Sequence, residues 1–211
     1  MDNLPEPIVQ GSAAWFAIRL GKITGSRIAD MMATTKNGPA ASRANYAADL
    51  VCERLTGIST PQGFVSNDMT RGTELEPAAR AAYCEKRGTL IEQIGFRDHQ
   101  TIPLFGVSPD GLVDDDGMVE IKCPNAANHI ATIIDGKAPT RYLPQMQAGM
   151  MTCERQWCDF ISYHPDLPPH LRLAIFRVNM DPEYQKKVAA EIVAFNREIE
   201  AIIAKLLAIK P

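Results

Sequence analysis

No stretch of the 211 residues is long and apolar enough to cross a bilayer. The richest run, AIIAKLLAI near the C-terminus, falls far short of the ~20 residues that a spanning helix needs. The N-terminus carries no basic-then-apolar leader, so a cytoplasmic location without a membrane partner is expected. Five cysteines (Cys52, Cys84, Cys123, Cys153 and Cys158) form no C-x-x-C pair, and their odd number fits poorly with a secreted disulfide framework. Reduced, mostly buried thiols are expected instead. Basic residues are not in excess: 22 Lys and Arg against 25 Asp and Glu leave a net charge of −3, so any nucleic-acid contact must rely on positive charge gathered locally. The four histidines (His99, His129, His164 and His170) show no metal-ligand spacing. Internal repeats, low-complexity blocks and long Gly/Ser linkers are also missing, which argues for a single domain over 1–211.

What is present is an ordinary globular composition, 45% hydrophobic and 22% charged. The N-terminal third reads as helical: SAAWFAIRL, TGSRIADMM, and SRANYAADLVCERLTG ending at Gly57. A further helix, RGTELEPAARAAYCEKRG, stops at Gly88 with Pro77 beginning or kinking it. From residue 89 the texture changes to β-branched and apolar residues punctuated by Gly, Pro and Asp, and strands are expected in TLIEQIGF, TIPLFGV, GLVDD and MVEIKC. Helices in ANHIATIID and LPQMQAGMMTCE separate these from two more strands, WCDFISYH and LRLAIFRVN. A last helix from about Pro182 repeats Val188, Ile192, Phe195, Ile199, Ile202 and Leu206 at three- and four-residue spacing, one apolar stripe to lay on a sheet. The predicted class is α/β, a central mixed sheet flanked by helices.

The stretch GVSPDGLVDDDGMVEIKCP (106–124) concentrates charge where strands are expected. With Asp115-Asp116-Gly117 as a three-residue loop and Gly117 left-handed, Leu112 faces Glu120 and Asp110 faces Lys122. Alternation then puts Asp110, Glu120 and Lys122 on one face and Val113, Val119 and Ile121 on the other. Two carboxylates and a lysine on one face suit a divalent cation with hard oxygen ligands, and a lysine able to orient a water, the requirements of phosphodiester hydrolysis. By itself the stretch reads equally well as a solvated hairpin, except that Asp110 lies outside the turn that would explain it.

Pro109-Asp110 followed by Glu120-Ile121-Lys122 is similar to the P-D…(D/E)-x-K signature of restriction-endonuclease-like nucleases. Four segments in order, GSAAWFAIRLGKITGSRIADMM (11–32), RGTELEPAAR (71–80), SPDGLVDDDGMVEIKCP (108–124) and LPQMQAGMM (143–151), resemble the phage lambda exonuclease family, the YqaJ-type viral recombinase nucleases. The resemblance implies a restriction-endonuclease-like core and a Mg²⁺-dependent exonuclease, with two ions and Mn²⁺ as a substitute, that degrades one strand of duplex DNA from its 5′ end. It implies Asp110, Glu120, Glu76 and the Ile121 carbonyl as metal ligands, Lys122 as the residue that positions or activates water, and Gln147 as a polar partner near the scissile phosphate. It also implies a homotrimeric ring around double-stranded DNA ends, a single-strand annealing protein as partner, and a phage or prophage origin in a bacterial host.

Arg19, Ser26 and Ser108 match that family's 5′-phosphate pocket, and an arginine fork with hydroxyl donors suits a terminal phosphate. Thr24 is expected to cap the helix that begins at GSRIADMM and to belong to the same pocket. Each assignment has a plainer rival: Arg19 on an amphipathic surface, Ser26 as a cap, Glu76 as a helix start, Gln147 exposed on its helix, and Trp15 in the core. An endonuclease or single-strand nuclease of the same superfamily, or a non-catalytic DNA-end-binding module, is the alternative function.

Overall fold

The computed structural model describes residues 8–60 and 67–210. The first seven residues, read above for a leader, lie outside the described ones. Helix α1 (Ala13–Arg19) starts at Ser12, whose side chain accepts the Trp15 N–H at 3.2 Å. The next segment enters as a short strand, β1 (Ile23–Thr24), then one 3₁₀ turn (Gly25–Arg27) before α2 (Ile28–Met32). A two-residue hairpin, β2 (Thr34–Thr35) with β3 (Gly38–Pro39), leads to α3 (Ala41–Thr56). Gly57 ends α3 in the left-handed conformation, as its composition predicts. Helix α4 (Asn67–Arg87) accommodates Pro77 inside it and gives way to Gly88.

The segment TLIEQIGF, expected as a strand, makes only an isolated bridge between Glu92 and Leu112 before the short β4 (Arg97–Asp98). Strand β5 (Phe105–Val107) sits between β1, to which it is parallel, and β4, to which it is antiparallel. That small sheet fastens the N-terminal helices beside the main one. The main sheet is mixed, in the order β6 (Gly111–Val113), β7 (Gly117–Lys122), β8 (Trp157–Tyr163), β9 (Leu173–Asn179). Only β7 and β8 are parallel, and their connection carries α5 (Ala126–Asp135) and α6 (Leu143–Cys153).

The period-two alternation predicted for the hairpin is present, but the loop differs. Gly111 pairs with Val119 and Val113 with Gly117, so the loop is Asp114-Asp115-Asp116. The left-handed residue is Asp114 (φ 48°), a residue type that tolerates that region, and Gly117 is in the strand. Gly117 is needed for a different reason: a Cβ there would lie 2.1 Å from the Trp157 ring. Because the register moved by two residues, every side chain kept its face.

Both faces of the main sheet are covered. Leu112, Met118, Cys158 and Phe160 pack with Met146 and Met150 of α6 and with Val188, Ile192, Phe195 and Ile199 of α7 (Pro182–Leu207). The latter four, each with no exposed surface, are the part of the predicted stripe that reaches the core; Ile202 is only partly buried and Leu206, 42% exposed, lies beyond it. Val113, Val119, Ile121 and Ile161 on the opposite face pack against Ala79 and Tyr83 of α4.

Candidate active site

Strand β7 closes with Glu120-Ile121-Lys122, and Asp110 immediately precedes β6, so the hairpin brings these residues to one end of the sheet. Asp110 Oδ2 accepts the Ile121 N–H at 2.6 Å, which ties the entrance of one strand to the backbone of the next. Glu120 follows Met118 by two residues and so shares the face of the larger core, where it is 1% exposed. Lys122 Nζ lies 2.5 Å from Glu120 Oε1. The contact lacks hydrogen-bond alignment, leaving that buried oxygen beside a positive charge but without a donor aimed at it.

Burial pushes the Glu120 carboxyl up to about 7; the Lys122 ammonium opposes the change and Asp110 adds to it. For Lys122 burial acts the other way, favouring the neutral amine, yet Glu120 and Asp110 outweigh it and hold the ammonium above the ordinary lysine pKa. Glu76, half-buried on α4, is raised first by burial and then by Asp110, with Arg80 and more weakly Lys122 lowering it. These couplings put Glu76, Asp110, Glu120 and Lys122 within electrostatic reach of one another.

The donor set fits Mg²⁺. Asp110 and Glu120 supply hard oxygens, one of them buried without a hydrogen bond, and Mg²⁺ characteristically takes one or two carboxylates and completes its shell with waters and phosphate. Among the described residues no three Asp, Glu, His or Cys side chains are already gathered into a metal cluster, so an ion here would rely on waters and phosphate for part of its shell.

Asp110, Glu120 and Lys122 line a cleft of about 580 Å³ together with Arg19, Thr24, Ser26 and Ser108. Arg19 stacks 3.6 Å over the Trp15 ring. Burial pulls its pKa down to about 10, against the opposing effect of Tyr46 and Glu53. A guanidinium penalised in this way gains from an incoming anion. Trp15, 8% exposed, also does more than fill the core: its Nε1–H donates to Ser108 Oγ at 2.9 Å, which leaves the Ser108 hydroxyl hydrogen free for another acceptor. Ser26 Oγ is 3.5 Å from Thr24 Oγ1.

Two expectations are corrected. Thr24 makes no side-chain capping bond; it lies in β1, and its N–H donates to Tyr46 Oη at 2.9 Å. Gln147 is neither exposed nor in the cleft. It is buried, donating to the Asn179 carbonyl at 2.9 Å and accepting the Asp181 N–H at 3.0 Å, so it fastens α6 to the β9–α7 junction. Gln145 lines the cleft instead, with Gly149 one turn on. The motif PQMQ holds two glutamines roughly 200° apart around a helix, so only one can face the cleft, and helix phase relative to the sheet chooses it. Glu76 lies beside the cleft lining rather than in it, with its Oε1 paired to Arg80 Nη2 and its carboxyl still coupled to Asp110.

A carboxylate–lysine cluster at the end of a mixed sheet with helices on both faces defines a nuclease-fold protein. The chain belongs to the YqaJ-like viral recombinase family, the lambda-exonuclease-like group, whose domain matches residues 14–156. An alkaline exonuclease, LHK-Exo, from Laribacter hongkongensis is 48% identical, with a TM-score of 0.86 over 92% of this chain and 96% of that one. LHK-Exo in complex with dAMP matches equally well. A phage-related exonuclease from Haemophilus somnus 129PT shares the fold at 16% identity, with a TM-score of 0.68 over 88% of this chain and 96% of that one. No match was found among curated protein sequences.

Proposed function

We propose that this protein is a Mg²⁺-dependent deoxyribonuclease that degrades one strand of linear duplex DNA, 5′ to 3′, from a 5′-phosphorylated end. The 3′ overhangs it leaves are substrates for a single-strand annealing protein in phage-type recombination, in the cytoplasm of a bacterial host, and the active form is a homotrimeric ring. The observation that carries the reading is one cleft lined at once by the hydrolytic cluster (Asp110, Glu120, Lys122) and by an arginine with two serines (Arg19, Ser26, Ser108). The relative's name, alkaline exonuclease, and its complex with dAMP, a nucleoside monophosphate, support hydrolysis that releases mononucleotides.

Asp110 and Glu120 would hold Mg²⁺, with Glu76 and the Ile121 carbonyl completing its protein ligands. The ion, when bound, lowers the pKa of a water and neutralises charge on the phosphate. Lys122, kept as an ammonium by its two acidic neighbours, is a donor that orients the attacking water or a phosphate oxygen. Water oxygen bonds to phosphorus, the P–O3′ bond breaks, and the departing O3′ takes up a proton. Gln145, which lines the cleft from α6, would donate to the same phosphate. Arg19, Ser26, Ser108 and Thr24 engage the terminal 5′ phosphate, whose extra charge distinguishes an end from the interior of a strand.

The test is digestion of linear duplex DNA in Mg²⁺ and in Mn²⁺, with 5′-phosphate or 5′-hydroxyl ends, closed circular DNA as control, and Lys122→Ala beside the native protein. Loss of one strand from the 5′ end is expected, faster with phosphate, with Lys122→Ala reduced by at least ~10²-fold. Cutting of the circle would replace this reading with an endonuclease, and end binding without hydrolysis would replace it with a non-catalytic module.

A further inference from the structure

We propose that Arg80 is a positioning residue for the metal-binding carboxylates, an inference that rests on the reading above. Its Nη2 contacts two partners that belong to different elements: Glu76 Oε1, one turn earlier on α4, and the backbone carbonyl of Asp110 at 3.2 Å. Glu76 is carried by a helix and Asp110 by the residue before β6, so a single guanidinium group sets the distance between two acids that the chain itself separates by 34 positions of loop, helix and strand.

Two further features mark the contact as more than a surface ion pair. The Arg80 side chain is 15% exposed, and its Nε is buried without a hydrogen-bond partner. A guanidinium desolvated and only partly satisfied is an expensive way to stabilise a helix, and unsatisfied buried groups concentrate where function requires them. The Asp110 carbonyl that Arg80 holds belongs to the residue whose carboxylate accepts the Ile121 N–H, so Arg80 steadies that acid from its backbone while Ile121 steadies it from its side chain. Arg80 does not line the cleft, so it acts through Glu76 and Asp110 rather than on DNA.

The test uses full-length Arg80→Met, Arg80→Lys, Glu76→Gln and the Arg80→Met/Glu76→Gln double variant. Readouts are steady-state digestion of linear duplex DNA, Mn²⁺ affinity by calorimetry without DNA, and the thermal midpoint. Arg80→Met is expected to lower kcat and Mn²⁺ affinity by roughly 10–100-fold, the usual loss when a partner of a metal ligand is removed. KM for DNA should change by no more than about twofold, and the double variant should match the worse single variant because both act on one unit. Arg80→Lys, which keeps the charge and folds if Arg80→Met does not, should fall between the native protein and Arg80→Met. Multiplicative losses in the double variant, a raised KM with kcat intact, or a lower thermal midpoint alone would each overturn the proposal. If the native protein bound Mn²⁺ but hydrolysed no DNA, the nuclease reading would fail, while the effect of Arg80 on Mn²⁺ affinity would still decide this one.

Discussion

Gly117 and Asp114 divide between them the work that a hairpin glycine usually does alone. Asp114 turns the chain through the left-handed region, and Gly117 makes room for the Trp157 ring, over which Arg177 lies at 3.5 Å. Gly117→Ala should therefore destabilise the protein by about 1–3 kcal/mol through overpacking. Asp114→Gly should change stability by less than about 1 kcal/mol, because glycine takes a positive φ freely and only the weak bond from Thr89 is lost. Urea denaturation of the two variants checks both; a larger cost at Asp114 than at Gly117 would reverse the assignment. Arg19 shows the same dependence on neighbours at this scale. Its charge stacks on Trp15, and the Trp15 indole simultaneously orients Ser108, so one core aromatic serves two polar groups of the cleft.

Among elements, α4 links the sheet to the acids. Its Tyr83 hydroxyl donates to Asp159 Oδ2 at 2.9 Å, and Asp159, which has no exposed surface, is also held by Arg177 Nε at 2.8 Å and Nη2 at 3.0 Å. Burial, and after it the Asp159 carboxylate, hold the Tyr83 hydroxyl in its protonated, donating form. Tyr83→Phe should cost about 1.5–3 kcal/mol, the range for a hydrogen bond to a charged group. The loss should appear in denaturation, with Arg177 still pairing Asp159. An unchanged midpoint would mean that α4 is held by its apolar face alone. At its other end α4 is fastened by Arg71, whose Nη2 donates to the Cys123 and Pro124 carbonyls just beyond β7. The helix that bears Glu76 is thus tied to the strand that bears Glu120 and Lys122.

On the scale of the whole molecule, acid should loosen the fold through His129. The ring is buried on α5, its Nε2–H facing the Leu171 carbonyl at 2.8 Å and its Nδ1 the Ser162 hydroxyl at 2.7 Å. Burial lowers its pKa below the ordinary 6.5; the Leu171 carbonyl opposes the shift and the nearby His164 adds to it. As pH falls through 6.5 the unfolded chain takes the proton first, so the contribution of His129 to stability is full above that pH and declines below it. Glu120 and Glu76, raised by burial, act in the opposite sense over this window, so the effect of His129 is read by difference: the native midpoint is expected to fall relative to that of His129→Gln between pH 7.5 and 5, and parallel profiles would remove His129 as the cause. Light scattering should give three times the 23.2 kDa chain mass if the active form is the proposed ring, and a single chain mass would exclude it.

Local signals carried most of the elements. Gly57 and Gly88 ended their helices as capping chemistry requires, and the α7 stripe was legible because its period needs no partner to be seen. The hairpin acids were legible too: alternation is local, and a two-residue error in register left Asp110, Glu120 and Lys122 on their side. TLIEQIGF was misread because β-branched composition cannot tell a strand from an extended segment that touches the sheet at one residue. Which glutamine of PQMQ faces the cleft, and that Arg80 joins Glu76 to Asp110, depend on how separate elements are rotated and docked. The sequence by itself determined most of the long elements, the chemistry of the acids and their shared face, because those follow from local periodicity. Only the tertiary structure decided which side chains meet across elements, because packing orientation is set by the whole core and by no segment alone.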